Sequence, residues 1–129
     1  MMKKRRDSKP TDAECTILAA IWVRGAATVR EVHGDLKKQQ DIGYTTVLKF
    51  MQIMHGKGLL KRDESVRPQV YRPARTRKQT QKALLGDLLD RAFYGSAGQM
   101  VLQALSMKHS TPEELRQIRE LLDKLEDEQ

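Results

Sequence analysis

One cysteine, Cys15, stands among 129 residues, so neither an internal disulfide nor a multi-cysteine metal site can form. A lone thiol usually behaves as a small core residue, and Cys15 is expected to be buried. Aromatic residues are also few: Trp22, Tyr44, Phe50, Tyr71, Phe93 and Tyr94 are all there are. Set against 32% charged and 39% hydrophobic residues, that scarcity describes a charge-rich, mainly helical chain. No apolar run approaches the roughly 20 residues that a bilayer span requires. The basic start "MMKKRRDSKP" runs into Asp12 and Glu14 where a signal peptide would turn apolar. A cytoplasmic protein without a membrane partner is expected. His33, His55 and His109 are scattered, and H-E-x-x-H, a glycine-rich phosphate loop and a nucleophile elbow are all missing. No enzyme, cofactor or metal site is expected.

What is present in excess is positive charge, and it is uneven. Residues 1–77 hold 17 Lys and Arg against 8 Asp and Glu, a net of +9, whereas residues 78–129 hold 7 against 9, a net of −2. The basic part suits a polyanion such as double-stranded DNA; the rest does not.

Helix starts are marked by a Ser or Thr followed three residues later by Glu or Gln, a spacing that lets each side chain cap the other residue's backbone N–H. The pairs are Thr11/Glu14, Thr28/Glu31, Thr76/Gln79, Ser96/Gln99 and Thr111/Glu114, with Pro112 at the last helix's first position. They predict a first helix over 12–24 with Ile17, Leu18, Ile21 and Trp22 inward, and a second over 29–39 with Val29, Val32 and Leu36 inward. A third, over 44–56, buries Val47, Phe50, Met51 and Met54, leaving Thr45, Thr46, Leu48, Lys49, Gln52 and Ile53 on the opposite side. "LLKRDE" and "QVYRPA" then read as two strands, with Pro68 in the loop between them.

Three helices followed by a hairpin is the element order of a winged helix-turn-helix. The third helix exposes hydroxyls, an amide and a lysine, and no carboxylate that phosphates would repel. Thr45, Thr46, Lys49 and Gln52 are therefore the candidates for groove contacts, and Tyr44, Lys61, Arg62 and Arg67 for the DNA backbone. The tail residues Lys3, Lys4, Arg5 and Arg6 could form a basic arm.

The expected organisation is mainly α with a small β-hairpin: a flexible basic tail over 1–10, a winged helix-turn-helix domain over 11–75, and a three-helix dimerisation region over 76–129. In that last region helices over 77–94, 97–106 and 112–127 carry apolar stripes with no further core to join. Leu115, Ile118, Leu122 and Leu125 follow the 3-4-3 spacing of a helix-pair seam. Leu84, Leu88, Met100, Leu105, Ile118 and Leu122 are the expected homodimer contacts, and a symmetric dimer would present two third helices to a palindromic operator.

Taken together, "PTDAECTILAAIWVRGAATVREVHGDL", "GYTTVLKFMQIMHGKGLLKRD", "VYRPA", "LLGDLLDRAFYGSAGQMV" and "TPEELRQIRELLDKLE" resemble the penicillinase-repressor (BlaI/MecI) family of bacterial winged-helix regulators, from about residue 10 to 126. The resemblance implies a homodimeric repressor of transcription that holds its operator through the third helix and the wing. The family's "YTTV" motif opens the recognition helix, which matches Tyr44, Thr45 and Thr46. Ile53 stands where many members carry an arginine, so the operator sequence is not carried over. Some members are cut at an Asn-Phe bond in the C-terminal helices; the corresponding place here reads Gln103-Ala104, and the cleavage is not carried over. A copper-responsive branch ends in a cysteine-rich motif, which this chain lacks.

Two other readings compete. A winged-helix interaction module would set its third helix and wing against an acidic protein, with Leu48 and Ile53 as apolar anchors. A ligand-sensing repressor would bind a small molecule between protomers.

Overall fold

The computed structural model describes residues 9–129, so the basic cluster Lys3, Lys4, Arg5 and Arg6 lies outside the described residues. The elements follow in the order α1 (Asp12–Arg24), α2 (Val29–Leu36), α3 (Tyr44–Gly56), β1 (Leu60–Asp63), β2 (Val70–Pro73), α4 (Arg77–Phe93), α5 (Ala97–Met107) and α6 (Pro112–Asp127).

Capping sets most of the helix starts. At α1 the Thr11 hydroxyl accepts from the Glu14 N–H and the Glu14 carboxylate accepts from the Thr11 N–H, at 3.2 and 3.0 Å. Thr28 with Glu31, Thr76 with Gln79 and Thr111 with Glu114 repeat this reciprocal arrangement. The Ser96/Gln99 pair closes only half of it. The Ser96 hydroxyl accepts from the Gln99 N–H, but the Ser96 N–H is already donated to the Phe93 carbonyl at the end of α4, at 2.8 Å. The start of α3 differs from all of these: Gly43 precedes it and provides no side-chain cap.

α2 is shorter than its sequence pattern suggested. Beyond Leu36 no apolar residue holds another turn on the core, and the Gln39 and Gln40 N–H groups both turn back to the Leu36 carbonyl. The strands lose their end residues for the same kind of reason, since only Leu60–Asp63 and Val70–Pro73 find antiparallel partners. Lys61 faces Arg72 and Arg62 faces Tyr71 in that register. A third, single-residue strand had no sequence signal. Ala27, between α1 and α2, exchanges two hydrogen bonds with Tyr71, at 2.9 and 2.8 Å.

The core of the first part joins Ile17, Leu18 and Ile21 of α1, Val29, Val32 and Leu36 of α2, Val47, Met51 and Met54 of α3, Leu59 and Leu60, and Tyr71 of β2. Phe50 and Trp22, expected inside, are half-buried against it. Leu48, expected outside, is half-buried and also packs against the core, and it lines a hollow together with Val29, Pro68 and Tyr71. The Trp22 Nε1–H donates to the Arg75 carbonyl at 3.3 Å, and the Arg77 guanidinium lies over the indole ring. Gly25 ends α1 and Gly58 turns α3 into β1, both with φ near +85°, where a side chain would strain the backbone.

Two ion pairs fix the helices to one another. Glu14 is buried, and the Lys57 ammonium at the end of α3 reaches both of its carboxylate oxygens, at 2.8 and 3.0 Å. Arg24 donates to both oxygens of Asp35 on α2, at 2.8 and 3.0 Å. That fork holds the Asp35 carboxyl below the usual carboxylate range. A depressed folded-state pKa stabilises the fold above the unfolded value of about 4, and the contribution fades as pH falls through the folded value. The Asp35→Asn variant should accordingly have a lower urea midpoint than the wild type at pH 7, with the gap closing towards pH 3. A gap that is the same at both pH values would mean that the pair adds no pH-dependent stability.

The chain divides into two compact units between Leu85 and Gly86, within α4. In the second unit no residue of α5 or α6 is buried. Leu88, Leu102, Leu105, Leu121, Leu122 and Leu125 are all exposed large apolar side chains.

Candidate nucleic-acid interface

α3 has one face in the core and one in solvent, because Val47, Met51 and Met54 recur at helical spacing. The solvent face carries Tyr44, Thr45, Thr46, Lys49, Gln52 and Ile53, all exposed. Thr45, Thr46, Lys49 and Gln52 make no side-chain hydrogen bond or ion pair among the described residues. Their polar groups are therefore free to meet an outside ligand. The first turn of α3 has no acidic residue and no side-chain cap, so its N–H groups present the positive end of the helix dipole to solvent.

Tyr44 is held in place from α2. The His33 Nε2–H donates to the Ile42 carbonyl at 3.0 Å, since a carbonyl can only accept, and the imidazole meets the Tyr44 ring edge-on at a centroid distance of 5.9 Å. His33 thus ties the turn between α2 and α3 to the first residue of α3. Arg30, His33, Gly34 and Lys37 line a shallow hollow with Tyr44. Arg30 and Lys37 were not singled out in the sequence. Their i, i+3, i+4, i+7 spacing with His33 and Gly34, opposite Val29, Val32 and Leu36, is the signal that marks this second polar face.

The hairpin sorts its charges more finely than the sequence did. Lys61 is exposed and directly opposite the exposed Arg72, two like charges across a ladder that would repel one another in isolation. Arg72 is a further candidate contact that sequence reasoning passed over. Arg62 is occupied: its guanidinium pairs with Glu64 at 2.7 Å and lies over the Tyr71 ring at 5.9 Å. Arg67 sits at the tip, where one guanidinium nitrogen donates to the Glu64 and Val66 carbonyls and holds the side chain in the loop. The two acidic groups are likewise engaged. Ser65 donates its N–H and its hydroxyl to Asp63, which keeps that carboxyl below its ordinary range, and Glu64 is taken by Arg62. The uncommitted charge on the hairpin is therefore positive.

Of the apolar residues assigned to a dimer, Leu88, Leu105 and Leu122 are exposed, whereas Leu84, Met100 and Ile118 are half-buried. Leu84 falls on the first unit's side of the division and the other five in the second. Tyr94, almost fully exposed, and Met107 belong to the same apolar surplus and were not picked out. Cys15 is half-buried where full burial was expected. Burial, followed by Asp12 and Glu14, pushes its thiol up, which disfavours the reactive thiolate.

No helix among the described residues is long and apolar enough to cross a membrane. The family model described as penicillinase repressor matches residues 10–124. The transcriptional regulator BlaI of Mycobacterium tuberculosis, from strains CDC 1551 / Oshkosh and ATCC 25618 / H37Rv, is 30% identical over 92 residues, which cover 70% of this chain and 67% of that protein. The winged helix-turn-helix order of elements agrees with both matches, and the chain belongs to the penicillinase repressor family of transcriptional regulators.

Proposed function

We propose that the protein represses transcription by binding a palindromic operator in double-stranded DNA as a homodimer, with α3 in the major groove. The observation that carries this reading is the solvent face of α3. It offers Thr45, Thr46, Lys49 and Gln52 without internal partners, beside an uncapped helix start and with no carboxylate on the helix. Tyr44, Lys61 and Arg67 meet the sugar-phosphate backbone, joined by Arg30, Lys37 and Arg72. Arg62 contributes less directly, by stiffening the hairpin through Glu64 and Tyr71. The region 76–129 supplies the dimer interface: α5 and α6, which have no fully buried residue within one chain, gain their stability from a second copy. The protein acts in the cytoplasm and needs no cofactor.

Footprinting on genomic DNA across a range of salt concentrations tests this directly. Protected palindromes with half-sites about one helical turn apart are expected. Binding that is salt-sensitive but without sequence preference would favour an acidic protein as the partner. Lys49→Ala should weaken operator binding and, where the Lys49 ammonium neutralises a phosphate, lower the slope of log affinity against log salt by about one unit. An unchanged affinity and slope would remove Lys49 from the interface.

A further inference from the structure

We infer that Ile53 is a specificity-determining residue that reads the C5-methyl group of a thymine in each operator half-site, an assignment that rests on α3 being the DNA-binding helix. Ile53 is 48% exposed on the same face as Lys49 and Gln52, one turn beyond Lys49. A large apolar side chain at this point gains nothing from solvent and is not held by the core, which takes Met51 and Met54 on either side of it. Beyond Ile53 the helix offers no free charge. Lys57, one turn further on, is committed to Glu14 at 2.8 and 3.0 Å, and His55 is half-buried. The last exposed turn of α3 therefore meets its ligand with a hydrocarbon surface.

Base edges in the major groove are hydrogen-bonding groups with one exception, the thymine methyl. Isoleucine can neither donate to guanine nor accept from cytosine, and would desolvate those edges without recompense. Against a methyl group it buries apolar surface on both sides. Its β-branched side chain is already confined to few rotamers, so little further freedom is lost on contact. The four-residue rise from Lys49 is about 6 Å, or roughly two base-pair steps, which sets how far the thymine lies from the Lys49 contact.

The test uses the full chain and a randomised DNA duplex library. After selection of the preferred duplex, each thymine is replaced in both half-sites by deoxyuridine, which removes only the methyl group. Binding is measured for the wild type and for Ile53→Ala, whose melting curve should match the wild type because residue 53 lies outside the core. One thymine position is expected at which uracil weakens the wild type about fourfold per half-site, while Ile53→Ala binds both duplexes with the weakened affinity. A flat uracil scan for the wild type overturns the inference, as does a uracil penalty that persists in Ile53→Ala. In either case sequence-specific binding still stands, and Ile53 is not the residue that reads a thymine methyl. A library that yields no enriched sequence overturns the DNA-binding reading itself and this inference with it.

Discussion

The wild type is expected to sediment as a dimer at micromolar concentrations, and the double variant Leu88→Asp/Leu122→Asp as a monomer. Both side chains are about half exposed in the single chain, at 49% and 51%, in a unit where α5 and α6 have no buried residue. Each substitution occurs twice in a symmetric dimer, so four carboxylates would enter an apolar interface without partners. Several kcal/mol per unpaired buried charge is the usual order of that cost. Operator affinity should fall by about a hundredfold or more, because a monomer engages one half-site and loses the effective concentration that ties the second to the first. Sedimentation velocity and mobility-shift titration read the two effects separately. A variant that remains dimeric would place the interface elsewhere; one that turns monomeric yet keeps full operator affinity would remove the need for two half-sites.

Lys57→Ala should destabilise the fold by about 2–3 kcal/mol, because it strands the buried Glu14 carboxylate that Lys57 grips at 2.8 Å. Glu14 then keeps only the Thr11 N–H at 3.0 Å. The pair Glu14→Gln/Lys57→Met should recover part of the stability, because no buried charge remains although the amide NH2 loses its partner. An amide oxygen can still accept from the Thr11 N–H, and the methionine covers the site without charge. Urea unfolding of the three proteins measures this. A Lys57→Ala midpoint indistinguishable from the wild type would mean that Glu14 is solvated after all.

Most of the architecture was legible because it is written locally. Helix starts depend on side chains three residues apart, and four of the five expected pairs close reciprocally. The failures have other causes. Ser96 gives up half of its box to the Phe93 carbonyl, because the end of one helix competes for the N–H that would start the next. Leu48 looks exposed on a helical wheel and is half-buried against a core that includes residues as distant in the chain as Tyr71. The Ala27 strand is a single residue, too short to carry a period. At the candidate interface, α3 could be read directly from its lack of carboxylates. The separation of Arg62 from Lys61 and Arg72 required the hairpin register, since three basic residues in a sequence do not reveal which one is paired.

The two hydrogen bonds between Ala27 and Tyr71 connect the hairpin to the segment between α1 and α2 through backbone atoms alone. Whatever side chains the loop from 64 to 69 acquires, the hairpin stays tied to the segment before α2 by backbone groups that, short of a proline at 27 or 71, side-chain replacement leaves in place. Under the proposed DNA-binding reading, the residues of the loop, and with them any preference for flanking DNA, could be exchanged while the seating of the hairpin on the domain stays constant. If the proposed operator binding holds, target preference and target geometry could then change independently of each other.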